Sequence, residues 1–371
     1  MKYSDTSAVK NAHMVVNPSE NIMWMFTGQG SLNSNKNKEL FNRNKVFKHA
    51  LTEYTNILEK NLDVPILEML LNESAGLNQQ TQLEQPATVA LQLAQISMWD
   101  ALGVKPKIVL GHSIGEFAAA VAAKIMKPED ALRLAIARGE LMSNSPRGSM
   151  AAVFSPAKNF QTLPRDIVVA ANNGPALTVL AGPRETLSQF VNDKFKDQHV
   201  MLNVSYAFHS PSMESAARDF RKHITEVKLS KPEDIHFISS MTGKIETHSP
   251  QTPEYWIDQI IKPVNFLQAI KTGFSLSPRA TLSIELGSDS ALINMARRII
   301  PDADVQWLAS TSSFEVDASE AGPGLVGSSS TKLQESSSAN APLFRSVPLP
   351  WNKPVITEPS TKPVDKNDLT E

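Results

Sequence analysis

The sequence predicts an α/β protein built on a parallel sheet, and three observations carry that expectation. Strand-like and helix-like apolar patterns alternate from Ile22 to Gly139, as in consecutive βαβ units. The strand-like pieces are short continuous apolar runs that stop at glycines, the pattern of strands buried on both faces. The chain has 371 residues, 41% of them hydrophobic, enough for one large domain or two ordinary ones with a sizeable core.

Ile22 to Phe26 is a continuous apolar run ending at Thr27-Gly28-Gln29-Gly30, a strand feeding a tight loop. Ala87, Ala90, Leu91, Ala94, Met98, Ala101 and Leu102 recur at helical spacing, with Pro86 suited to the first turn and Gly103 as the stop. Lys107 to Leu110 reads as a strand broken by Gly111, and Ala118 to Ala123 as a helix. Pro128-Glu129-Asp130 starts another helix, with Leu132, Ala135, Ile136 and Gly139 on one face. The middle differs: Met150 to Phe154, Ile167 to Ala171 and Leu177 to Ala181 are short strands, followed by a helix after Arg184, consistent with a small α+β subdomain. Ile235 to Ser240 and Thr281 to Leu286 return to the main sheet. Residues 1–20 read as a polar lead-in. From about Ala309 the composition turns to Ser, Gly, Ala and Pro, so 309–371 reads as a flexible linker carrying one apolar patch, Val347 to Trp351, that docks back on the body.

Lys and Arg number 36 against 38 Asp and Glu, which leaves no charge footprint for nucleic acid or an anionic membrane. Cysteine is absent, so disulfides, thiolate catalysis and Cys-ligated metals are excluded. No apolar run approaches the roughly 20 residues that span a bilayer, and the N-terminus lacks the apolar core of a signal peptide. The expectation is a soluble, cytoplasmic protein.

Gly111-His112-Ser113-Ile114-Gly115 fits G-x-S-x-G between a strand and a helix, the context that the motif requires. A sharp turn there lifts the Ser113 hydroxyl out of the strand end, and the following helix points free N–H groups at developing negative charge. The five residues alone are equally compatible with a chance match in a strand–turn–helix. A serine nucleophile needs a base. Of eight histidines, His112 adjoins the serine and reads as structural, pointing away from it, while His13, His49 and His248 lie in polar stretches. His209, at a turn after an apolar stretch, is either the base or a buried structural histidine.

Taken together the motifs resemble the malonyl-CoA:acyl-carrier-protein transacylase family, and more closely the acyltransferase domains of type I polyketide synthases. The resemblance runs from about Ile22 to Ile300. It rests on Phe26 to Ser31 (F-[PT]-G-Q-G-[SA]), Gln85-Pro86-Ala87 (Q-P-A), Gly111 to Glu116 (G-H-S-x-G-E), Arg138-Gly139, Asn173-Gly174-Pro175 with Val179 to Gly182, Tyr206 to His209, Tyr255-Trp256, Gln259 to Val264 and Glu285-Leu286-Gly287.

The resemblance implies an α/β-hydrolase-like large domain, over 21–148 and 213–308, with an inserted ferredoxin-like subdomain over 149–212. It implies acyl transfer from coenzyme A to the phosphopantetheine thiol of an acyl carrier protein, in polyketide or fatty-acid biosynthesis, with no metal and no tightly bound cofactor. Malonyl-CoA and a carrier protein or polyketide synthase are the implied partners. Ser113 would be the nucleophile and His209 its base. The main-chain N–H groups of Gln29 and Ile114 would form the oxyanion hole. Gln259 would orient the other nitrogen of His209 through a carbonyl oxygen. Arg138 would hold the malonyl carboxylate, and Gln85, Tyr206 and Phe208 would complete the substrate site. Phe208 resembles the malonyl-selective H-A-F-H form, while Tyr206 matches the methylmalonyl-selective Y-A-S-H form.

Two departures stand out. Leu32 replaces the Gln expected after G-Q-G-[SA], and the polar run Asn33 to Lys38 lacks the usual Met-Gly; Ser288 stands where E-x-G-P has its Pro. The competing readings are a serine hydrolase or thioesterase on the same scaffold, which Arg138 disfavours, and a non-catalytic synthase remnant, which intact Ser113, His209 and Arg138 disfavour.

Overall fold

The computed structural model describes residues 14–316 except 19, 74, 75, 78 and 79. The chain runs through β1 (Met14–Val16), β2 (Ile22–Phe26), α1 (Ser34–Arg43), α2 (Lys45–Leu62), α3 (Ile66–Leu71), α4 (Thr81–Ala101), β3 (Ile108–Gly111), α5 (Gly115–Ala122) and α6 (Pro128–Ser143). A second stretch carries β4 (Ser149–Val153), β5 (Val168–Gly174), β6 (Leu177–Gly182), α7 (Arg184–Phe195) and β7 (His199–Met201). The chain returns through α8 (Glu214–Ile224), β8 (His236–Ile238), α9 (Pro253–Ile261), α10 (Phe266–Ser275), β9 (Leu282–Leu286), α11 (Ala291–Ile299), β10 (Gln306–Ala309) and β11 (Phe314–Val316).

The main sheet has the order β10-β9-β2-β3-β8, with every neighbouring pair parallel. Its three inner strands, β2, β3 and β9, are buried at every residue, which is why their sequences read as unbroken apolar runs. Trp24, Phe26, Trp99, Phe117, Phe237 and Trp256 are among the largest fully buried side chains. The middle stretch forms a separate antiparallel sheet, β5-β6-β4-β7. It has its own small core, in which Ala151, Val153 and Leu180 pack with Leu187 and Val191 of α7. It is tied to the main body where Asn172 N–H donates to Val264 O (2.8 Å) and Val264 N–H to Ala170 O (2.9 Å).

Several expectations need correction. The helix expected to begin at Pro86 begins at Thr81, so Pro86 lies inside it. The first turn is polar except for Leu83, which hid it from a hydrophobic-period reading. Pro86 offers no N–H to the Gln82 carbonyl four residues back, and that carbonyl lies against Gly139 of α6. The polar run from Asn33 forms α1, with Asn33 as a cap whose side chain accepts from Lys36 N–H. The lead-in and the tail also contribute structure: β1 and β11 pair in parallel, and the Phe314 ring stacks on Trp99 with centroids 4.3 Å apart. The Ser-rich stretch and the Val347 to Trp351 patch lie outside the described residues.

The turn after β3 depends on two close approaches. A Cβ on Gly111 would lie 2.2 Å from Glu116 N, and one on Gly115 would lie 2.4 Å from Phe26 O. Both distances are to main-chain atoms of a neighbouring element, which cannot rotate aside. Gly115→Ala is therefore expected to cost about 3 kcal/mol or more, a fall of at least about 4 °C in Tm by thermal denaturation. An unchanged Tm would show that β2 and α5 can separate without penalty.

Candidate active site

Ser113 occupies the crossing between β3 and α5. Its φ is +52°, the left-handed region, so the backbone is held in a conformation that non-glycine residues rarely adopt. His209 follows β7 and also has a positive φ, +54°. The two side chains meet with Ser113 Oγ 2.7 Å from His209 Nε2. Elements 96 residues apart in sequence therefore deliver the serine–histidine pair that the sequence left open.

The other imidazole nitrogen meets the carbonyl end of α9. His209 Nδ1 lies 3.0 Å from the main-chain oxygen of Lys262, just past the end of α9. The Gln259 side chain does something else: its Nε2 donates to Ser113 O (2.7 Å), and its Oε1 accepts from Arg138 (3.3 Å). The main-chain carbonyl of Gln259 does favour the charged imidazole, together with that of Lys262. Helix ends present unsatisfied carbonyls, and Lys262 precedes Pro263, which stops the helix and turns the carbonyl outward. With Nδ1–H donating to Lys262 O, the Nε2 lone pair faces Ser113.

Burial pushes the His209 pKa down to about 3, with the nearby charges of Arg138 and His112 acting in the same direction. Its neutral form is thus already present in mildly acidic solution.

Arg138 projects from α6 and is 1% exposed. Its guanidinium donates to Gln85 Oε1 (2.7 Å) and Gln259 Oε1 (3.3 Å), and one nitrogen is 3.4 Å from Ser113 Oγ. Arg138 Nε has no hydrogen-bond partner. Among the described residues no carboxylate stands within ion-pair distance of it. Burial lowers its pKa to about 9, against the more distant Glu116 charge. Gly139 explains the approach: a Cβ there would lie 3.0 Å from Thr81 O, so glycine lets α6 close on α4 and brings Arg138 to Gln85.

A cleft of about 250 Å³ opens over these groups and is lined by the loops after β2 and β3, by helix residues and by the second sheet. Ser113, His209, Arg138, Gln85 and Gln29 face it alongside Met142, Met150, Leu202, Phe208 and Met295. Tyr206 does not line it. That ring is 6% exposed, lies 5.8 Å from the Phe208 ring and packs beneath the Arg147 guanidinium at 4.8 Å. Phe208 thus faces the cleft with Tyr206 behind it. Gln85 faces the cleft but spends its Oε1 on Arg138. The main-chain N–H groups of Gln29 and Ile114 make no hydrogen bond to another described residue. His112 also lines the cleft, and its Nε2 is 2.9 Å from Asn173 Oδ1 rather than engaged with Ser113.

Three further residues of this region went unread in the sequence. Asn173 lies in a quoted motif but has no signal for its contact with His112. Lys262 acts through its main chain, which residue type does not announce. Glu116 is fully buried, accepts from Ser240 N–H (2.7 Å) and Tyr255 Oη (2.8 Å), and is raised by burial to about 7. A glutamate at the start of a helix more often caps it from the surface.

The low pKa of His209 sets a pH dependence. The base must be neutral to accept the serine proton, and a pKa near 3 keeps it neutral down to about pH 5. Modification of Ser113 by an uncharged organophosphorus reagent is expected to proceed at a constant rate from about pH 5 to 8. A rate that falls through an inflection near the ordinary histidine value of about 6.5 would contradict this environment.

Residues 23–303 match the acyl transferase domain family. The chain is 31% identical over 294 residues to the PKS-NRPS hybrid synthetase ATPKS of Aspergillus niger, covering 75% of this chain and 16% of that protein. It is 32% identical over 286 residues to the polyketide synthase GfsB of Streptomyces halstedii, covering 75% of this chain and 5% of that one. The chain thus spans a small part of the length of these relatives. Among solved structures, the acyltransferase domain from the second module of the salinomycin polyketide synthase superposes with a TM-score of 0.69 at 30% identity, over 78% of this chain and 68% of that one. The malonyl CoA-acyl carrier protein transacylase from Clostridium perfringens shares the fold, with a TM-score of 0.68 at 23% identity over 78% of this chain and 92% of that one. With the family match spanning four of the five main-sheet strands, the second sheet and the residues that line the cleft, this chain belongs to the acyl transferase domain family.

Proposed function

We propose that this chain moves a malonyl group from coenzyme A to the phosphopantetheine thiol of an acyl carrier protein, through an ester on Ser113, in polyketide or fatty-acid biosynthesis. The observation that carries this reading is Arg138: a buried cation held by neutral amides, beside the serine, with no carboxylate among the described residues within ion-pair distance. Burying an uncompensated charge is costly. A dicarboxylic acyl group would supply the missing anion through a bidentate pair.

Ser113 Oγ attacks the thioester carbonyl while His209 Nε2 takes its proton. The tetrahedral oxyanion is met by the Gln29 and Ile114 main-chain N–H groups. Collapse breaks the carbon–sulfur bond, and His209 returns the proton to the departing thiolate. The carrier thiol then attacks the acyl-serine by the same steps in reverse, so one cleft serves both substrates by turns. Thioester is exchanged for ester and back, and no bound cofactor or metal enters the scheme. Lys262 O steadies the imidazolium that forms at each half-reaction, with Gln259 bracing Ser113 and Arg138.

The same reading takes the main body as α/β-hydrolase-like, over 21–148 and 213–308, and the 149–212 segment as an inserted ferredoxin-like subdomain. The order β5-β6-β4-β7 with α7 on one face supports the latter; a short 3₁₀ turn, Ala157–Phe160, stands where the first helix of that fold would be. The protein is read as cytoplasmic; among the described residues no helix is long and apolar enough to cross a membrane.

The test is incubation with radiolabelled malonyl-CoA and a carrier protein. Label on the carrier is expected; release of free malonate instead would make the chain a hydrolase. Arg138→Ala should cut malonyl transfer by at least about 10²-fold and let acetyl-CoA compete. An unchanged malonyl-to-acetyl ratio would overturn the clamp. Phe208→Ser should raise methylmalonyl relative to malonyl, by the roughly 1–3 kcal/mol that one methyl group commands in an apolar pocket. An unchanged ratio there would place the acyl group away from Phe208.

A further inference from the structure

The loop after β2 carries Gln29, yet residues 27–33 belong to no helix or strand. Something must hold it if the Gln29 main-chain N–H is to point at one place. Two contacts do so. Ser31 Oγ donates to Gly28 O at 2.9 Å, and that carbonyl belongs to the same planar peptide unit as the Gln29 N–H, so fixing one end fixes the other. The next peptide unit is fastened from α4. Glu84 is 2% exposed, and its Oε1 accepts the Gly30 main-chain N–H at 2.7 Å. Its Oε2 accepts from Gln29 Nε2 at 3.1 Å, and Thr81 Oγ1 accepts from the same amide at 3.2 Å. Thr81, Glu84 and Gln85 lie three and four residues apart on α4 and so share a face. Gln85 holds Arg138 at 2.7 Å, so one helix face grips both the loop and the cation.

A buried carboxylate is an unusual choice for this task. It is costly to desolvate and places negative charge near a site where negative charge is to develop. In return it accepts two donors at once in charge-assisted geometry, which a threonine or an aliphatic residue cannot do.

We propose that Glu84 is a positioning residue for the acyl transfer: by accepting from Gly30 N–H and the Gln29 amide together, it fixes the peptide units on either side of Gln29 and aims the Gln29 main-chain N–H into the cleft. This rests on the reading of Gln29 N–H as an oxyanion donor. The donor stabilises charge that exists only in the transition state, so misaiming it slows the chemical step and leaves ground-state binding alone.

Three variants separate this from a general structural role. Glu84→Gln keeps an oxygen at the Gly30 N–H, and the Gln29 amide can turn to meet its new NH₂, giving up only the long 3.4 Å contact from Gln85 Nε2. Glu84→Asp keeps the charge but draws the oxygens back by one methylene. Glu84→Met removes the acceptor. Single-turnover loading of Ser113 from malonyl-CoA, followed by intact-protein mass spectrometry, gives the saturated rate and the half-saturating concentration of each. The expected result is a saturated rate at least about tenfold lower for Glu84→Asp and Glu84→Met. Glu84→Gln should stay close to wild type, and half-saturation should stay within about twofold throughout. Full activity in Glu84→Asp, or equal losses in Glu84→Gln and Glu84→Asp, would overturn the proposal. So would a change confined to half-saturation. Should Glu84→Met not fold, the Gln and Asp pair carries the comparison. Failure of the wild type itself to load would instead remove the acyl-transfer reading on which the proposal stands.

Discussion

The site is organised around one buried cation that has no ion-pair partner among the described residues. Arg138 is buried, held by the oxygens of Gln85 and Gln259, and lies within 3.4 Å of Ser113 Oγ. Much of the surrounding structure follows from accommodating it. Gly139 lets α6 close on α4 so that Gln85 can reach the guanidinium. Gln259 bridges Arg138 to the carbonyl of Ser113. Glu116, from the start of α5, offsets part of the charge at a distance. The same cation helps to hold His209 neutral. An acyl group bearing its own carboxylate would relieve both effects at once, so selection of the donor is coupled to the base, whose low pKa is set first by burial and then by Arg138.

The cleft arises because two sheets of different kinds meet there. The parallel sheet places Ser113 at the end of a buried strand, where the helix that follows directs N–H groups outward. The antiparallel sheet supplies part of the apolar wall, and the segment that leaves it after β7 supplies His209. The seam is tied by Asn172 and Val264, and the same short segment presents the Lys262 carbonyl to His209. Both Ser113 and His209 are held in the left-handed region, strain that the packing around them sustains.

The inner strands and the serine turn were legible in the sequence because steric demands leave marks there: unbroken apolar runs and glycines at the crossing. The second sheet showed itself through short β-rich runs. The helices of 34–71 were missed because α1 is polar and its start is signalled only by a cap, Asn33. The pairing of β1 with β11 joins residues about 300 apart, and three-residue strands carry too little periodicity to announce it. Pro86 misled because a helix interior tolerates proline where the abandoned carbonyl has other surroundings. In the site, Ser113, His209 and Arg138 could be picked out because their chemistry lies in the side chain. The Lys262 contact could not, being a main-chain atom. Tyr206 was expected at the substrate and instead packs against the Phe208 ring and beneath Arg147, contacts that a motif position does not announce. Glu84 stood in plain view as a charge on a buried helix face.

The central claim is that Arg138 awaits an anion and meanwhile depresses His209. The most direct test is a histidine ¹⁵N NMR titration of His209, free and saturated with a malonyl-CoA analogue whose thioester is replaced by an amide. The account predicts a free pKa well below the ordinary value, near the 3 that burial and Arg138 impose, and a rise of at least about one unit when the bound carboxylate neutralises Arg138. A free pKa near about 6.5, unmoved by the analogue, would contradict it.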